Sequence, residues 1–139
     1  MSTYTDLTFQ VVFGGKYRQK FISLEYQDKL FKYLGGTLRN LDCFPIIQGG
    51  HLDHVHLIFS PSRKFSLSKI VQEVKKSSNK FLKNHKLEFP NFTSWQVGYG
   101  GFSYSRNERE RLINYVLNQH NHHRIVSFEE EYIAFLEEF

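Results

Sequence analysis

The stretch His51–Ser60 constrains this chain most, above all the run Leu57-Ile58-Phe59 that follows Asp53-His54-Val55-His56. Side chains on a strand alternate between faces, so consecutive large apolar residues bury both faces at once. Such a strand belongs inside a sheet, between two neighbours. His54 and His56 then share one face, and Val55 enters the opposite layer. Two imidazoles at this spacing can share one metal ion, since imidazole ligates several divalent metals. Two surface histidines on a β face are the alternative for a bare His-x-His. The buried run favours a site, because imidazoles withdrawn from water need a partner.

The flanking pattern supplies the neighbours. Leu7, Phe9, Val11 and Phe13 alternate with Thr8, Gln10 and Val12, which predicts a half-buried strand ended by Gly14-Gly15. Ser23 to Leu41 predicts a helix with Leu24, Leu30, Phe31, Leu34, Leu38 and Leu41 on its apolar side, weakened near its middle by Gly35-Gly36. Phe44 to Gln48 is a strand candidate, and Gly49-Gly50 offers the turn joining it to His51–Ser60. Ser66 to Lys83 predicts a second amphipathic helix. Trp95 to Tyr104 reads as a strand broken by glycines. Ser105-Arg106-Asn107-Glu108 is a capping box opening a third helix through Leu112, Ile113, Val116 and Gln119, and Ser127-Phe128-Glu129-Glu130 repeats the device. The order β-α-β-β-α-β with additional C-terminal helices predicts an α+β, ferredoxin-like antiparallel sheet, and residues 1–139 read as a single domain.

Charge points to an anionic partner. The formal net charge is +4, and between Arg63 and Lys86 the single acidic residue is Glu73. Lys69, Lys75, Lys76, Lys80 and Lys83 make the second helix a candidate phosphate contact, and Lys16 and Arg18 with Lys20 form another basic cluster that could meet phosphates. Solvated polar surface is the alternative for both. The aromatic share of 17% is mostly core material, with Phe65, Tyr17 and Tyr99 as candidates for stacking on bases. One cysteine, Cys43, excludes an internal disulfide, and no apolar run is long enough to cross a bilayer. The expectation is a cytoplasmic protein without a membrane partner.

Tyr115 and Gln119, four residues apart on the third helix, share a face. Gln119 offers a neutral oxygen ligand. A phenol with a pKa of about 10 is a weak nucleophile until its target is activated, which a divalent metal can do at a phosphate. The alternative is a core tyrosine beside Leu112 and Val116. Gly98, Gly100 and Gly101 permit a hinge or bulge between the sheet and this helix, or a plain tight turn.

Taken in order, Asp53-His54-Val55-His56-Leu57-Ile58, then Trp95-Gln96-Val97-Gly98-Tyr99-Gly100-Gly101-Phe102-Ser103, then Tyr115-Val116-Leu117-Asn118-Gln119, and last His122-His123 with Phe128-Glu129-Glu130-Glu131-Tyr132, resemble the single-tyrosine HUH transposases of the insertion-sequence-200-like family. The resemblance implies a metal site of His54, His56 and Gln119 holding Mg²⁺ or Mn²⁺, and Tyr115 as the nucleophile. It also implies single-stranded DNA with hairpins as substrate, cleaved and rejoined through a covalent 5′-phosphotyrosine, and a homodimer in which the tyrosine helix commonly serves the partner's site. Gly101 and Tyr104 depart from the family, which has alanine and a small aliphatic residue there. Tyr99 and Tyr104 are rival hydroxyls, though neither has a glutamine four residues on. An inactive relative that binds hairpin DNA or RNA as a regulator, and a metal-dependent hydrolase that uses water, are the competing readings.

Overall fold

Residues 2–118 are described in this computed structural model. The elements run β1 (Thr8–Gly14), α1 (Gln27–Asn40), β2 (Phe44–His51), β3 (His54–Ser60), α2 (Leu67–Asn84), β4 (Gly100–Tyr104) and α3 (Arg109–Leu117). One-turn helices at Lys16–Arg18 and Arg106–Glu108 follow β1 and precede α3. The four strands form one antiparallel sheet in the order β2-β3-β1-β4. This is the α+β, ferredoxin-like arrangement, with β3 flanked on both sides as its apolar run requires.

Alternation along the strands gives the sheet two working faces. Val11, Phe13, Val55, Leu57 and Phe59 point to one side, where they meet Leu30, Leu34 and Leu38 of α1 and Ile70, Val71, Val74 and Leu82 of α2. Ser66 caps α2 by accepting the Lys69 amide N–H at 3.2 Å. Trp95 closes the end of this core, its ring 4.8 Å from Phe13 and its Nε1 donating to Ser78 Oγ at 3.0 Å. The opposite face carries a smaller cluster in which Leu112 and Val116 of α3 pack on Ile58 and Tyr104.

That second cluster corrects the expectation for β1. Thr8, Gln10 and Val12 are buried along with Val11 and Phe13, whereas Leu7 lies outside the strand and is 45% exposed. A strand covered by helices on both sides shows no half-buried alternation.

Other boundaries move for local reasons. Helix α1 starts at Gln27, because Ser23 Oγ accepts the Tyr26 N–H and turns the chain first. Gly35 and Gly36 do not interrupt it. The hairpin turn lies at Leu52-Asp53, and Gly49-Gly50 belong to β2, opposite His56 and Val55. Glycine is required there: a Cβ on Gly50, at φ 151°, would approach His54 O to 2.2 Å, and one on Gly49 would lie 2.5 Å from Val116 Cγ1. The turn is held from outside, with Leu52 O accepting from Phe21 and Ile22, and Asp53 O from Gly15. Of the Trp95–Tyr104 stretch, only Gly100–Tyr104 is strand; Trp95 makes an isolated bridge with Gly15.

Candidate active site

His54 and His56 lie on the α3 side of β3 and are buried, 0% and 3% exposed. Their ring centroids are 5.0 Å apart. Each ring is held through Nδ1 by an oxygen: His54 by Asp53 Oδ1 at 2.7 Å, His56 by Gln10 Oε1 at 2.8 Å. A carboxylate or carbonyl oxygen accepts a hydrogen bond, so each imidazole donates from Nδ1–H, and in the neutral ring the lone pair is then on Nε2. That is the tautomer of a histidine prepared as a metal ligand, oriented by its outer partner. The donor set therefore fits a divalent cation as far as these two ligands go. Among the described residues no group of three His, Cys, Asp or Glu side chains completes such a site. Gln119, the expected third ligand, lies outside the described residues, as do His122, His123 and the acidic helix expected after Ser127.

Helix α3 brings Tyr115 to this pair within the same chain. Its start is fixed by the capping box: the Ser105 N–H and Oγ both donate to Glu108 Oε1 at 3.0 Å, and these bonds, the backbone one foremost, hold the Glu108 carboxyl below its usual range. Arg109 Nη2 donates to Thr8 Oγ1 at 2.7 Å and Asp6 Oδ1 at 3.1 Å, and Arg106 pairs with Asp6 at 3.0 Å. One residue before its end, Val116 sits over Gly49. Tyr115 is half-buried, packed against the Leu112–Val116 cluster, and its ring centroid is 6.1 Å from that of His56 in a tilted, edge-on contact. It is thus both a packing residue and a rim residue facing the imidazoles.

Gln10 is the residue that sequence reasoning missed. Its Nε2 donates to Tyr104 Oη at 2.9 Å, so one buried amide joins His56 to a buried phenol. Burial pushes the Tyr104 phenol far above its usual range, and its oxygen is engaged by Gln10. The available signal was a polar residue between two apolar ones on a strand whose other face was also apolar.

The glycine and basic residues fall in less expected places. Gly98, at φ 87°, makes the turn before β4, and Gly100 and Gly101 pair in the ladder opposite Val12 and Val11. They do not stand between the sheet and α3; Ser105–Glu108 does. Lys75 is turned inward, its Nζ donating to Gln96 O at 2.8 Å and Gly98 O at 2.6 Å and lying 5.1 Å from the Phe13 ring, with burial lowering its pKa. It therefore fastens the Gln96–Gly98 turn. Lys69, exposed, pairs with Glu73 at 2.9 Å, and Lys76, Lys80 and Lys83 are exposed. All of α2 lies across the sheet from the imidazoles. Lys16 and Arg18 are exposed in the loop after β1, where Tyr17 and Arg18 hold positive φ of 60° and 54°.

Two buried imidazoles, each held by an oxygen, thus lie on the α3-covered face of a ferredoxin-like sheet, with the ring of Tyr115 against His56. Residues 3–119 match the family described as Transposase IS200 like, and the chain belongs to that family. No curated protein matches it. Among solved structures it is similar to a Deinococcus radiodurans R1 protein described as a transposase, at 20% identity and TM-score 0.61, covering 86% of this chain and 95% of that one. It is also similar to a REP-associated tyrosine transposase bound to a REP hairpin, at 17% identity and TM-score 0.61, covering 91% and 76%. At these identities the two structures speak for the fold. Among the described residues no helix is long and apolar enough to cross a membrane.

Proposed function

We propose that this transposase-family protein cleaves and rejoins single-stranded DNA at hairpin-bearing ends, with Tyr115 as the nucleophile. The observation that carries the reading is the Tyr115 ring 6.1 Å from His56, on the one sheet face where both imidazoles are oriented by oxygen partners. His54 and His56 would hold Mg²⁺ or Mn²⁺ with Gln119, and the bound ion would supply Lewis-acid polarisation of a phosphate. The chain's own part is positional. Asp53 and Gln10 aim the two rings, and α3 holds the phenol at the rim of a largely dry face. Tyr115 Oη gives up its proton and forms a bond to phosphorus, while the bond to the 3′ oxygen breaks and that oxygen takes up a proton as a 3′ hydroxyl. The 5′ phosphate stays on the tyrosine, so the reverse attack by a 3′ hydroxyl reseals DNA without ATP.

The contact between Tyr115 and His56 within one chain supports a reading in which a subunit supplies its own nucleophile to its imidazoles. The homodimer implied by the family resemblance remains part of the proposal; among the described residues β2 and β4 are the outer strands of the sheet. Lys16, Arg18, Lys76, Lys80 and Lys83 are the proposed phosphate contacts. The likeness to a hairpin-bound relative supports hairpin DNA as the substrate class.

The test is a labelled single strand carrying candidate hairpins, incubated with Mn²⁺ or Mg²⁺ and run on a denaturing gel. A covalent protein–DNA band lost in Tyr115→Phe is expected. Cleavage that persists in Tyr115→Phe without an adduct would move the assignment to a water-using hydrolase, and binding alone would move it to a regulator.

A further inference from the structure

We propose that Gln10, held in turn by Tyr104, is the positioning residue that sets the tautomer and aim of His56. This rests on the metal-site reading above and names residues that the family assignment does not.

Gln10 is fully buried in the middle of β1, between Ile58 of β3 and Phe102 of β4. An amide in such surroundings is costly unless its polar atoms are engaged, and an apolar side chain of similar length would fill the place without that cost. Both ends are engaged here: Oε1 at His56 Nδ1, 2.8 Å, and Nε2 donating to Tyr104 Oη, 2.9 Å. A carbonyl oxygen can only accept. While it faces Nδ1, the imidazole must carry its proton there and present the Nε2 lone pair. The Tyr104 hydroxyl accepts from the amide nitrogen and so leaves no buried donor of Gln10 unsatisfied while its oxygen faces His56. His54 has the same provision from Asp53, a sequence neighbour. His56 draws its partner from a strand 46 residues away, so the sheet register itself (Val12 opposite His56, Gln10 opposite Ile58) places the amide.

The experiment uses the full chain labelled with ¹⁵N-histidine, above the imidazole titration range and without metal. Long-range ¹H–¹⁵N correlation reports the His56 tautomer, and titration with Mn²⁺ followed by electron paramagnetic resonance reports affinity. Wild type is expected to show the proton on Nδ1 and none on Nε2. Gln10→Leu is expected to mix the tautomers and weaken Mn²⁺ binding about 10–100-fold, the usual cost of losing an outer partner. Gln10→Glu retains an obligate acceptor and is expected to retain both properties, and Tyr104→Phe is expected to lose part of each. A folded Gln10→Leu with wild-type tautomer and wild-type affinity overturns the proposal. If Gln10→Leu fails to fold, Gln10→Glu decides it: loss of the Nδ1–H form there overturns the proposal, and its retention supports it. Wild type that takes up no Mn²⁺ would sink the metal reading, and the tautomer comparison in metal-free protein would still judge Gln10.

Discussion

Placing a methyl group on Gly49 should push the tyrosine helix off the imidazoles. A Cβ there would lie 2.5 Å from Val116 Cγ1, whereas carbon atoms rest at about 3.5–4.0 Å, so α3 or β2 must yield by about 1 Å. Overpacking of this kind costs about 1–3 kcal/mol, offset by about 0.5–1 kcal/mol from replacing a strand glycine with alanine. The net loss expected for Gly49→Ala is therefore about 0–2.5 kcal/mol, read by denaturant unfolding. Val116→Ala removes the clashing atom, and by itself should cost about 2 kcal/mol for two lost methyl groups and the space they leave. If the contact is the cause, the double variant recovers at least about 1 kcal/mol relative to the sum of the singles. Function should fall further than stability, because a 1 Å misplacement of a reacting group can cost about 100-fold in rate. Adduct formation by Gly49→Ala should drop on that scale while Mn²⁺ affinity is kept. Additive stabilities, within about 0.5 kcal/mol, would refute the claim that Gly49 exists to seat α3.

Four further outcomes are expected. Asp53→Asn should weaken Mn²⁺ binding about 10–100-fold, measured by calorimetry, since an amide turned the wrong way offers His54 a donor instead of an acceptor. Lys75→Met should lower stability by about 1–2 kcal/mol through loss of its two carbonyl bonds, yet leave the salt dependence of DNA binding unchanged. Lys80→Ala should do the reverse, leaving unfolding unchanged and reducing the slope of log affinity against log salt by about 0.7. Glu108 has a folded-state pKa below its unfolded value of about 4.3, so its contribution is complete above that value and disappears as pH falls through the folded one. The melting-temperature advantage of wild type over Glu108→Gln should accordingly be full near neutrality and vanish in strong acid.

Much of the fold was legible because local signals agreed with one another. The apolar run after His56 required an inner strand, Ser66 and Ser105 marked two helix starts, and the element order then left few sheet topologies. What escaped involved helix α3 lying on the second face, which no window of sequence reveals. Under α3, Gln10 passed for a solvent-facing residue of a half-buried strand. For the same reason Gly49-Gly50 passed for turn chemistry, when close approach of Val116 and of His54 O demands glycine. Counting charges gave the sign of the surface but no directions, so Lys75, which points into the molecule, was grouped with lysines that point out.

The position of α2 bears on the course that the proposed DNA substrate would take to the site. Its exposed lysines and the paired imidazoles lie on opposite sides of a sheet, so a strand touching both has to pass around the sheet rather than across it. The loop after β1 offers the way. Gly14 pairs with His54, so Lys16 follows at the same end of the sheet as the first imidazole, and the Lys16 N–H donates to Ser94 O at 2.8 Å. The chain then runs from Ser94 to Gln96 and Gly98, which Lys75 ties back to α2. A chain of contacts therefore leads from α2 through the Ser94–Gly98 turn to Lys16, at the His54 end of the sheet. If DNA follows it, a short oligonucleotide that only fills the cleavage site meets Lys16 but not the far lysines. Lys16→Ala should then weaken both the short oligonucleotide and a hairpin-extended one, whereas Lys80→Ala with Lys83→Ala should weaken only the latter, with competition binding at fixed salt as the measure. Equal losses on the short oligonucleotide from the α2 pair would mean that DNA takes another course.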